Sequence, residues 1–550
     1  MAKAEVDRTV DRVSRAQALF SEFSQADVDA VIDALNKKSL INAEKWARMA
    51  HEETGYGTTE DKTVKNRFCA EKVYEFIKPL KTVGFIKSDP ASGIYEVAAP
   101  MGVVAGVIPS TNPTSTAIYK IMIALKARNG IVISPHPAAK SCIGAVASVL
   151  GEAAVIAGAP DGIIGIIRQP TIEDTQYLMR HPQINVILAT GGMGLVNAAY
   201  SSGKPAYGVG PGNVPAFIER TAVLRKAVRD VIAGKSFDWG TICASEQSVI
   251  VDKPLAEEAV REFKAAGGYF VNDREKALLE ALVVNEKGFL NPKVVGRAPK
   301  VISSMAGFSV PEETRALIVP EGGVGRKYPL SLEKLSPILS YFEADGWEAG
   351  CQRCIEVLKY GGLGHTLCLH TTDREIIRQF ALKKPAFRII INSSGTHGAV
   401  GISTNLPPAM TLGCGALGNN ITSDNITPMH LLDIKRVAYE ARQVSGEEPV
   451  PLPPLTEDAA EVRNAAIASD ARLYLSRTLG SPAHQGRRLN PLGAGLRFAT
   501  SSVEGAEDFV CEEDVKAAIA EGRKIRIHSR TVVTPSARDL GEEKKVFESQ

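Results

Sequence analysis

The sequence predicts an α/β protein made of two doubly wound α/β domains followed by a C-terminal extension. Short apolar runs alternate with helical stretches in two successive sets, which is typical of βαβ units in parallel sheets. The chain has 550 residues, more than one hydrophobic core usually serves, so two large domains are expected.

The first alternating set lies between residues 103 and 218. Its predicted strands are 103–108, 131–134, 163–167, 186–189 and 216–218. Helical stretches separate them, which favours a parallel sheet covered on both faces. Open sheets of this kind bind ligands at the carboxyl ends of their strands, so the loops that follow these runs are candidate binding segments.

A second alternating set follows, and short helices precede the first. The second set has predicted strands 248–251, 338–342, 366–370 and 388–392 and predicted helices 255–266, 347–360 and 373–382. Near the N-terminus, one apolar face predicts a helix over 24–35 with Ser24 as its N-cap, and a second helix over 42–54.

Composition and charge argue against several classes of protein. The 64 Lys+Arg and 62 Asp+Glu residues are interspersed and leave a net charge of +2, which gives no electrostatic case for nucleic acid. The most apolar region, 142–167, carries Glu152 and Asp161 and is broken by Pro160, so no membrane span is expected. Residues 1–15 lack the apolar segment of a signal peptide.

The cysteines and histidines predict neither disulfides nor a metal. Eight cysteines in this length are too sparse for a disulfide framework, which indicates a reducing cytoplasm. Cys351 and Cys354 form a C-x-x-C inside a helical pattern, with no second pair to complete a zinc site, so we interpret them as two helix cysteines. The nine histidines show no ligand spacing.

The segment 240–246, Gly-Thr-Ile-Cys-Ala-Ser-Glu, directly precedes the predicted strand 248–251. A cysteine among small residues in a loop suits an accessible nucleophile, because a thiolate attacks a carbonyl carbon far better than a hydroxyl does at neutral pH. The alternative is that Cys243 is a buried spectator thiol.

Asn112 lies in the segment 109–114, Pro-Ser-Thr-Asn-Pro-Thr, between the predicted strand 103–108 and a helix. Attack on an aldehyde creates an oxyanion, which a fixed neutral amide can stabilise; removing such a donor costs about 2.7–4 kcal/mol. The alternative is that Asn112 only caps the helix.

A glycine-rich turn, Thr190-Gly191-Gly192-Met193-Gly194, follows the predicted strand 186–189 and begins a helix. Glycines here let the pyrophosphate of a dinucleotide approach the free N–H groups of the helix start. The segment is not a G-x-G-x-x-G fingerprint, and the alternative is an ordinary tight turn.

Together these segments resemble the aldehyde dehydrogenase superfamily, and specifically its CoA-acylating branch, over residues 17–442. The motifs that carry the resemblance are, in chain order, 109–114, 134–137, 190–194, 240–246, 333–337, 364–366, 392–395, 411–415 and 425–436. The resemblance implies that a small aldehyde, of the propionaldehyde or acetaldehyde class, is oxidised with NAD and CoA to an acyl-CoA thioester.

The resemblance also implies roles for individual residues. Cys243 would be the nucleophile, Asn112 and the backbone N–H of Cys243 the oxyanion hole, and Glu333 the partner of the nicotinamide ribose. The further cofactor-binding residues that it implies are Ile108, Pro109, Ser110, Thr111, Ser134, His136, Pro137, Thr190, Gly191, Gly192, Gly210 and Leu335.

The implied domains are an NAD-binding domain over 1–235, with arm strands near 88–100, and a catalytic domain over 236–420. An oligomerisation arm would cover 421–446 and support a homo-oligomer, either a dimer or a tetramer. The remaining residues, 447–550, would form a linker and the C-terminal extension.

Two departures from the family bear on the reaction. Hydrolytic members carry a glutamate general base where this chain has Gly208, and without a carboxylate to activate water the thioester can wait for a thiol. Ser134 stands where hydrolytic members carry a lysine for the adenosine ribose, which weakens the basis for choosing between NAD and NADP; NAD remains the expectation.

Three alternatives stay open at this point. One is a hydrolytic dehydrogenase that releases the free acid, and another is a sulfoacetaldehyde-type acylating dehydrogenase. The third is a catalytically idle scaffold whose tail organises an assembly, against which the intact Cys243 and Asn112 argue.

The C-terminal extension has its own pattern. After the proline-rich linker 446–455, the sequence predicts a helix over 457–479, a helix over 512–521, a strand over 524–527 and a turn at 534–535, with too little apolar material for a deep core. Residues 530–541 look like tails of bacterial microcompartment enzymes, and the helix over 457–479 is similar to their encapsulation segments.

An encapsulation segment would bind shell or core enzymes of a microcompartment. Along one side of the helix over 457–479 the sequence places Ala459, Val462, Ala466 and Leu473, a stripe that suits docking to a partner helix. The alternative is a solvated tail that buries this stripe on its own protein.

Overall fold

The computed structural model describes residues 2–285, 288–442, 509–510, 512–527, 532–533 and 535–549. The chain divides into two compact units, residues 1–476 and 477–550. The predicted linker 446–455 and helix 457–479, with Ala459, Val462, Ala466 and Leu473, lie outside the described residues.

The first unit is built from helices and strands in alternation. Its helices are α1 (Ala2–Phe20), α2 (Gln25–Thr54), α3 (Thr59–Phe68), α4 (Tyr74–Ile77), α5 (Pro113–Lys126), α6 (Lys140–Ile156), α7 (Ile172–Arg180), α8 (Met193–Tyr200), α9 (Leu224–Ser236), α10 (Ala256–Ala265), α11 (Asp273–Val283), α12 (Pro299–Ala306), α13 (Trp347–Gly361), α14 (Arg374–Lys383) and α15 (Gly395–Ala399). Its strands are β1 (Gly84–Asp89), β2 (Ile94–Pro100), β3 (Val103–Ile108), β4 (Gly130–Pro135), β5 (Ile164–Ile166), β6 (Val186–Thr190), β7 (Ala206–Val209), β8 (Val214–Ile218), β9 (Glu246–Asp252), β10 (Gly268–Phe270), β11 (Ala316–Pro320), β12 (Ile338–Ala344), β13 (Gly364–His370), β14 (Ala386–Ile391) and β15 (Leu432–Ala438).

Two parallel sheets confirm the predicted fold class. The first has five strands in the order β5-β4-β3-β6-β7, and the second has seven in the order β10-β11-β12-β9-β8-β13-β14. Strands such as β3, β4 and β9 are buried along their whole length, because helices cover both faces of each sheet.

One predicted strand of the first set belongs to the second sheet. The run predicted at 216–218 is part of β8, which pairs with β9 and β13. The fifth strand of the first sheet is β7, which the sequence reading missed together with β10 and β11. The domain boundary at residue 235 stays a prediction.

The two predicted N-terminal helices are one helix. Ser24 caps α2 as predicted: its hydroxyl accepts from the backbone N–H of Asp27, whose side chain accepts from the backbone N–H of Ser24 in a capping box. The helix then continues without a break to Thr54, because nothing between the two predicted segments breaks a helix.

Strands β1, β2 and β15 form a separate antiparallel sheet. This arm sheet joins the predicted arm strands near 88–100 to a strand inside the predicted arm 421–446. Pairing runs from Leu432 opposite Pro100 to Ala438 opposite Ile94.

The segment Pro137–Ile156 is long and apolar enough to span a membrane by composition alone. In the fold, α6 packs against α2, α5 and β5. The carboxylate of Glu53 on α2 accepts from the backbone N–H groups of Ser141 and Cys142, at 2.8 and 2.7 Å, in the first turn of α6. These contacts show that α6 packs against other elements of the same unit.

The described residues of the second unit form two short pairs of parallel strands and two helices. They are β16 (Phe509–Val510) paired with β18 (Val532–Val533), β17 (Ile525–Ile527) paired with β19 (Phe547–Ser549), α16 (Glu512–Glu521) and α17 (Pro535–Glu543). The helix predicted at 512–521 is confirmed. The turn predicted at 534–535 is wrong, because Pro535 begins a helix, a position where proline is favoured.

Candidate active site

A cavity of about 750 Å³ lies where the carboxyl ends of the first sheet meet the amino ends of the second. It is lined by loops that follow β3, β4, β6 and β7 and by loops that precede β9 and β12. The predicted site residues that line it are Ile108, Pro109, Ser110, Thr111, Asn112, His136, Pro137, Thr190, Gly191, Gly192, Gly210, Cys243, Glu333 and Leu335.

Ser134 is the predicted residue that does not line this cavity. Its side chain is buried within β4, and its hydroxyl lies 2.8 Å from the Thr175 hydroxyl on α7. Position 134 therefore contributes to the packing of α7 on the sheet, and Thr175 reaches the cavity in its place. The assignment of Ser134 as a cofactor-binding residue stays a prediction.

Asn112 stands at the N-cap position of α5, but its side chain makes no capping bond. Its Oδ1 accepts from the Lys65 ammonium at 2.6 Å, and its Nδ2 donates to the backbone oxygen of Thr241 at 3.2 Å. The interpretation of Asn112 as a helix cap is thus wrong. The amide spans the gap between α3 and the loop that carries Cys243.

The loop before Cys243 has a strained backbone. Asp238 and Trp239 have φ values of 48° and 51°, which side chains rarely adopt, and Gly240 follows with φ of 75°. A Cβ at Gly240 would lie 2.9 Å from the backbone oxygen of Ser336, so this position requires glycine. Strain of this kind persists only where the surroundings hold it, and it clusters at functional sites.

The Cys243 thiol is partly exposed to the cavity and is protonated in the free site. Burial, together with the negative charges of Glu333 and Cys414, raises the pKa of Cys243 to about 12, and Arg388 opposes this shift. A thiol in this state requires a base before it can attack a carbonyl carbon.

His365 lies near the backbone of Cys243, and the sequence analysis assigned it no role. A Cβ at Gly212 would lie 2.3 Å from the Cys243 carbonyl oxygen and 3.0 Å from the His365 ring. The Cys243 carbonyl and the His365 ring are therefore both close to the backbone of Gly212. The His365 Nε2 is buried and has no hydrogen-bond partner among the described residues. Burial and then the charge of Arg388 lower the pKa of His365 to about 3, so the imidazole is neutral.

The signal that could have identified His365 is its place in the Gly364-His365-Thr366 motif, which the sequence analysis used only to recognise the branch. The chain places this motif at the start of β13, next to β8 in the second sheet. The motif lies far from Cys243 in the sequence, and only the pairing of strands in the second sheet brings the two together.

Glu333 is the one carboxyl group among the described residues that line the cavity. Its Oε1 accepts from the backbone N–H of Gly212 at 2.7 Å. Burial raises the pKa of Glu333 to about 8, against the opposing effects of that N–H and of Lys235 and Lys334. At neutral pH the protonated form of this carboxyl group therefore predominates.

The glycine turn fits the pyrophosphate of a dinucleotide. Gly192 is the N-cap of α8 and supplies no side-chain capping bond, and added Cβ atoms at Gly192 and Gly194 would meet nothing within 4 Å. The buried hydroxyl of Thr190 also lacks a hydrogen-bond partner within the part of the chain that the structure describes. Free N–H groups and an unused hydroxyl suit an anionic ligand at this helix start.

Comparisons with known proteins show the family of this chain. The model of the aldehyde dehydrogenase family matches residues 1–271. A crystal structure of an acetylating aldehyde dehydrogenase from Geobacillus thermoglucosidasius is 48% identical, with a TM-score of 0.80, over 81% of this chain and 98% of that chain. This chain belongs to the aldehyde dehydrogenase family.

Two further relatives show which kinds of aldehyde dehydrogenase this chain is similar to. The bifunctional aldehyde-alcohol dehydrogenase of Escherichia coli is 42% identical over 447 residues, which are 80% of this chain and 50% of the relative. The chain thus spans about half the length of this curated relative. A Rhodopseudomonas palustris propionaldehyde dehydrogenase with bound CoA and an acylated cysteine is 27% identical, with a TM-score of 0.72, over 79% of this chain and 96% of that chain.

Proposed function

We propose that this dehydrogenase oxidises a small, uncharged aldehyde with NAD and transfers the acyl group to CoA through a thioester on Cys243. The observation that carries the proposal is that Cys243, Asn112 and the glycine turn line one cavity, whose one described carboxyl group is kept mainly protonated. Relatives described as acetylating, and one with CoA bound beside an acylated cysteine, support the same reaction.

In the proposed reaction, Cys243 adds to the aldehyde carbonyl carbon, and the new oxyanion accepts from the Asn112 Nδ2 and from the backbone N–H of Cys243. NAD, when bound, supplies the acceptor for the hydride that leaves this adduct. The Ile108–Asn112 loop and the Thr190–Gly192 turn would hold it, and Glu333 would face the ribose. The acyl group is then attached to Cys243 as a thioester, and the CoA thiol displaces it.

We propose His365 as the base that removes the proton from the reacting thiol. A neutral imidazole with an unused Nε2 lies beside the same glycine as the Cys243 carbonyl. Proton transfer from a thiol with a pKa of about 12 is uphill in the free site. The imidazolium and thiolate that form together attract each other, which offsets part of this cost.

The absence of a water-activating carboxylate favours acyl transfer over hydrolysis. The position where hydrolytic members carry glutamate is Gly208, a residue of β7 that does not line the cavity. An added Cβ there would lie 3.0 Å from Val196 and 3.2 Å from Tyr200 on α8. A thioester in this cavity therefore meets no carboxylate from position 208 that could activate water.

The cavity walls favour an uncharged aldehyde. Apolar side chains line the cavity that holds Cys243, among them Ile242, Val400, Met410 and Leu412. No lysine or arginine stands among the described lining residues, whereas an anionic substrate such as sulfoacetaldehyde needs a cationic partner when it leaves water. Short alkyl aldehydes such as acetaldehyde and propionaldehyde fit these walls.

The other proposals concern domains, assembly and location. We propose that residues 1–235 bind the dinucleotide, that residues 236–420 carry the nucleophile, and that the arm sheet supports a homo-oligomer. We further propose that residues 447–550 attach this dehydrogenase, in the cytoplasm, to a bacterial microcompartment. The support for attachment is the resemblance of residues 530–541 to microcompartment enzyme tails.

The first prediction concerns the reaction itself. With acetaldehyde or propionaldehyde, NADH formation depends on added CoA and yields the acyl-CoA. Cys243→Ala abolishes it, and Asn112→Ala lowers it by about 100-fold, in the range of a lost oxyanion donor. Coupled absorbance and mass spectrometry of the product check this. Sustained NADH formation with release of free acid in the absence of CoA contradicts the proposal.

The second prediction concerns the aldehyde. The value of kcat/KM for propionaldehyde exceeds that for sulfoacetaldehyde by about 100-fold or more, since an unpaired anion in an apolar cavity costs several kcal/mol. Steady-state rates with both aldehydes at the same NAD and CoA concentrations measure the ratio. A ratio near one shows that a cationic group outside the described lining takes part.

The third prediction concerns His365. His365→Ala lowers the rate of Cys243 alkylation by iodoacetamide and the rate of NADH formation together, each by about 10²–10⁴-fold, as for loss of a general base. His370→Ala, which alters another buried histidine of β13, is the matched control and leaves alkylation near the native rate. Unchanged alkylation in the His365 variant removes this residue from the proposed chemistry.

The fourth prediction separates chemistry from location. A truncated chain ending at residue 442 keeps the native kcat and the native number of subunits, because the site and the arm sheet lie before that residue. Full-length enzyme co-sediments with purified microcompartment shells and the truncated chain does not. Sedimentation and enzyme assays check both parts, and equal co-sedimentation of the two forms contradicts the attachment proposal.

A further inference from the structure

A buried cluster of two lysines and one aspartate lies behind the Asn112 amide. The side chains of Lys62 and Lys65 are 2% exposed and that of Asp238 is fully buried. The Asp238 Oδ2 accepts from Lys62 at 2.9 Å, from Lys65, and from the Thr241 hydroxyl at 2.6 Å. Its Oδ1 accepts from the backbone N–H of Thr58 at 2.9 Å. The carboxylate is thus fully bonded.

The cluster reaches the proposed oxyanion hole through one bond. The Lys65 Nζ lies 2.6 Å from the Asn112 Oδ1. An ammonium has only donors, so it must face the oxygen of the amide and not its nitrogen. The NH₂ end is thereby turned to the opposite side, where Nδ2 donates to the Thr241 backbone oxygen beside Cys243.

We infer that Lys65 is a positioning residue that fixes and polarises the Asn112 amide, and that Asp238 holds Lys65 in place for this purpose. The inference rests on the proposed function. A hydrogen bond from a cation to the amide oxygen strengthens the N–H donors at the other end of the same amide. Lys65 therefore sets both the direction and the strength of the donor that meets the oxyanion.

The charge state of the cluster supports this role. Burial and the nearby Lys62 lower the pKa of Lys65 to about 8, although Asp238 opposes the shift, so the ammonium form predominates at pH 7. Burial alone would raise the pKa of Asp238, but the charges of Lys65 and Lys62 outweigh it and the pKa is lowered. Asp61 adds a second anion, since the backbone N–H of Asp238 donates to its carboxylate at 2.8 Å.

The same carboxylate also holds the loop that carries the nucleophile. Thr241 bonds to Asp238 through its hydroxyl and to Asn112 through its backbone oxygen. The amide donor and the loop that supplies the backbone donor of Cys243 are therefore fixed to each other through Asp238. An added Cβ at Gly57 would lie 1.7 Å from the Asp238 Oδ1. Glycine at this position, just before α3, therefore leaves room for the carboxylate.

Lys62 is the matched control for Lys65. It is equally buried and bonds to the same Asp238 oxygen, but its other contact is the backbone oxygen of Thr111 at 3.4 Å, and it makes no bond to Asn112. Replacing either lysine removes one positive charge and one Asp238 bond. Only the Lys65 variant also loses the bond to the Asn112 Oδ1, together with a 3.4 Å contact to the Thr241 hydroxyl. The Asn112 Nδ2 keeps its bonds to the Thr241 backbone oxygen and the Thr111 hydroxyl in both variants.

The experiment is a double-mutant cycle on the full chain with Lys65→Met, Asn112→Ala and both changes together, beside Lys62→Met. The rapid phase of NADH formation at saturating propionaldehyde is measured, with the aldehyde KM and the thermal unfolding midpoint. We expect Lys65→Met to lower the rapid rate by about 10- to 100-fold, within the range for a lost oxyanion donor. The KM should stay within about threefold, and Lys62→Met should cost less than about threefold in rate.

In the Asn112→Ala background, Lys65→Met should lower the rate by no more than about twofold, because the amide through which it acts is gone. An equal loss in both backgrounds, or equal losses for the two lysine variants, overturns the inference. Lys65→Gln keeps an N–H donor and should recover part of the rate; if Lys65→Met does not fold, this variant compared with Lys62→Gln carries the same test. An undiminished rate in Asn112→Ala alone overturns the proposed oxyanion hole, whereas an undiminished rate in Lys65→Met beside a slow Asn112→Ala overturns only the role of Lys65.

Discussion

The arrangement of the site depends on the hydrogen bonds and ion pairs of the Asp238 carboxylate. This carboxylate joins α3 to the loop that carries Cys243, and it does so without access to water. Burying an ion costs several kcal/mol, and the cost is offset only where the geometry and the remaining hydrogen bonds are complete. Removing one partner of such a pair typically costs about 3–5 kcal/mol, because an uncompensated charge stays buried. The strained backbone at Asp238 and Trp239 is held by the same contacts.

The parts of the site that follow strand ends could be predicted from the sequence. The loops after β3 and β6 and the loop before β9 are continuous segments, and their residue types already indicated an oxyanion donor, an anion-binding turn and a nucleophile. A parallel sheet brings the loops after β3 and β6 to one edge whatever the details of packing. The loop before β9 belongs to the other sheet, so its place in the cavity follows from how the two sheets pack. The local pattern could not show which sheet a strand belongs to. The apolar run of β8 has the pattern of any buried strand, and only its pairing with β9 and β13 places it in the second sheet.

The supporting residues of the site could not be found in this way. The helix α3, Thr-Glu-Asp-Lys-Thr-Val-Lys-Asn-Arg-Phe, has the composition of a solvated helix, yet two of its lysines are buried. Their partner Asp238 is 173 residues from Lys65 along the chain, and no periodicity links the two. Ser134 shows the reverse case: a residue at a promising strand end turns out to pack against Thr175. Both differences arise from tertiary contacts that a local pattern does not contain.

The electrostatics of the cavity explain why a thioester formed there would persist until a thiol arrives. Hydrolysis needs a base that accepts a proton from water, and His365 is a weak one, because burial and the charge of Arg388 leave it with a pKa of about 3. A thiol is more acidic than water by several pKa units, so the same weak base suffices for CoA where it fails for water. In the proposed reaction, the low basicity of His365 therefore selects the CoA thiol over water as the acceptor of the acyl group.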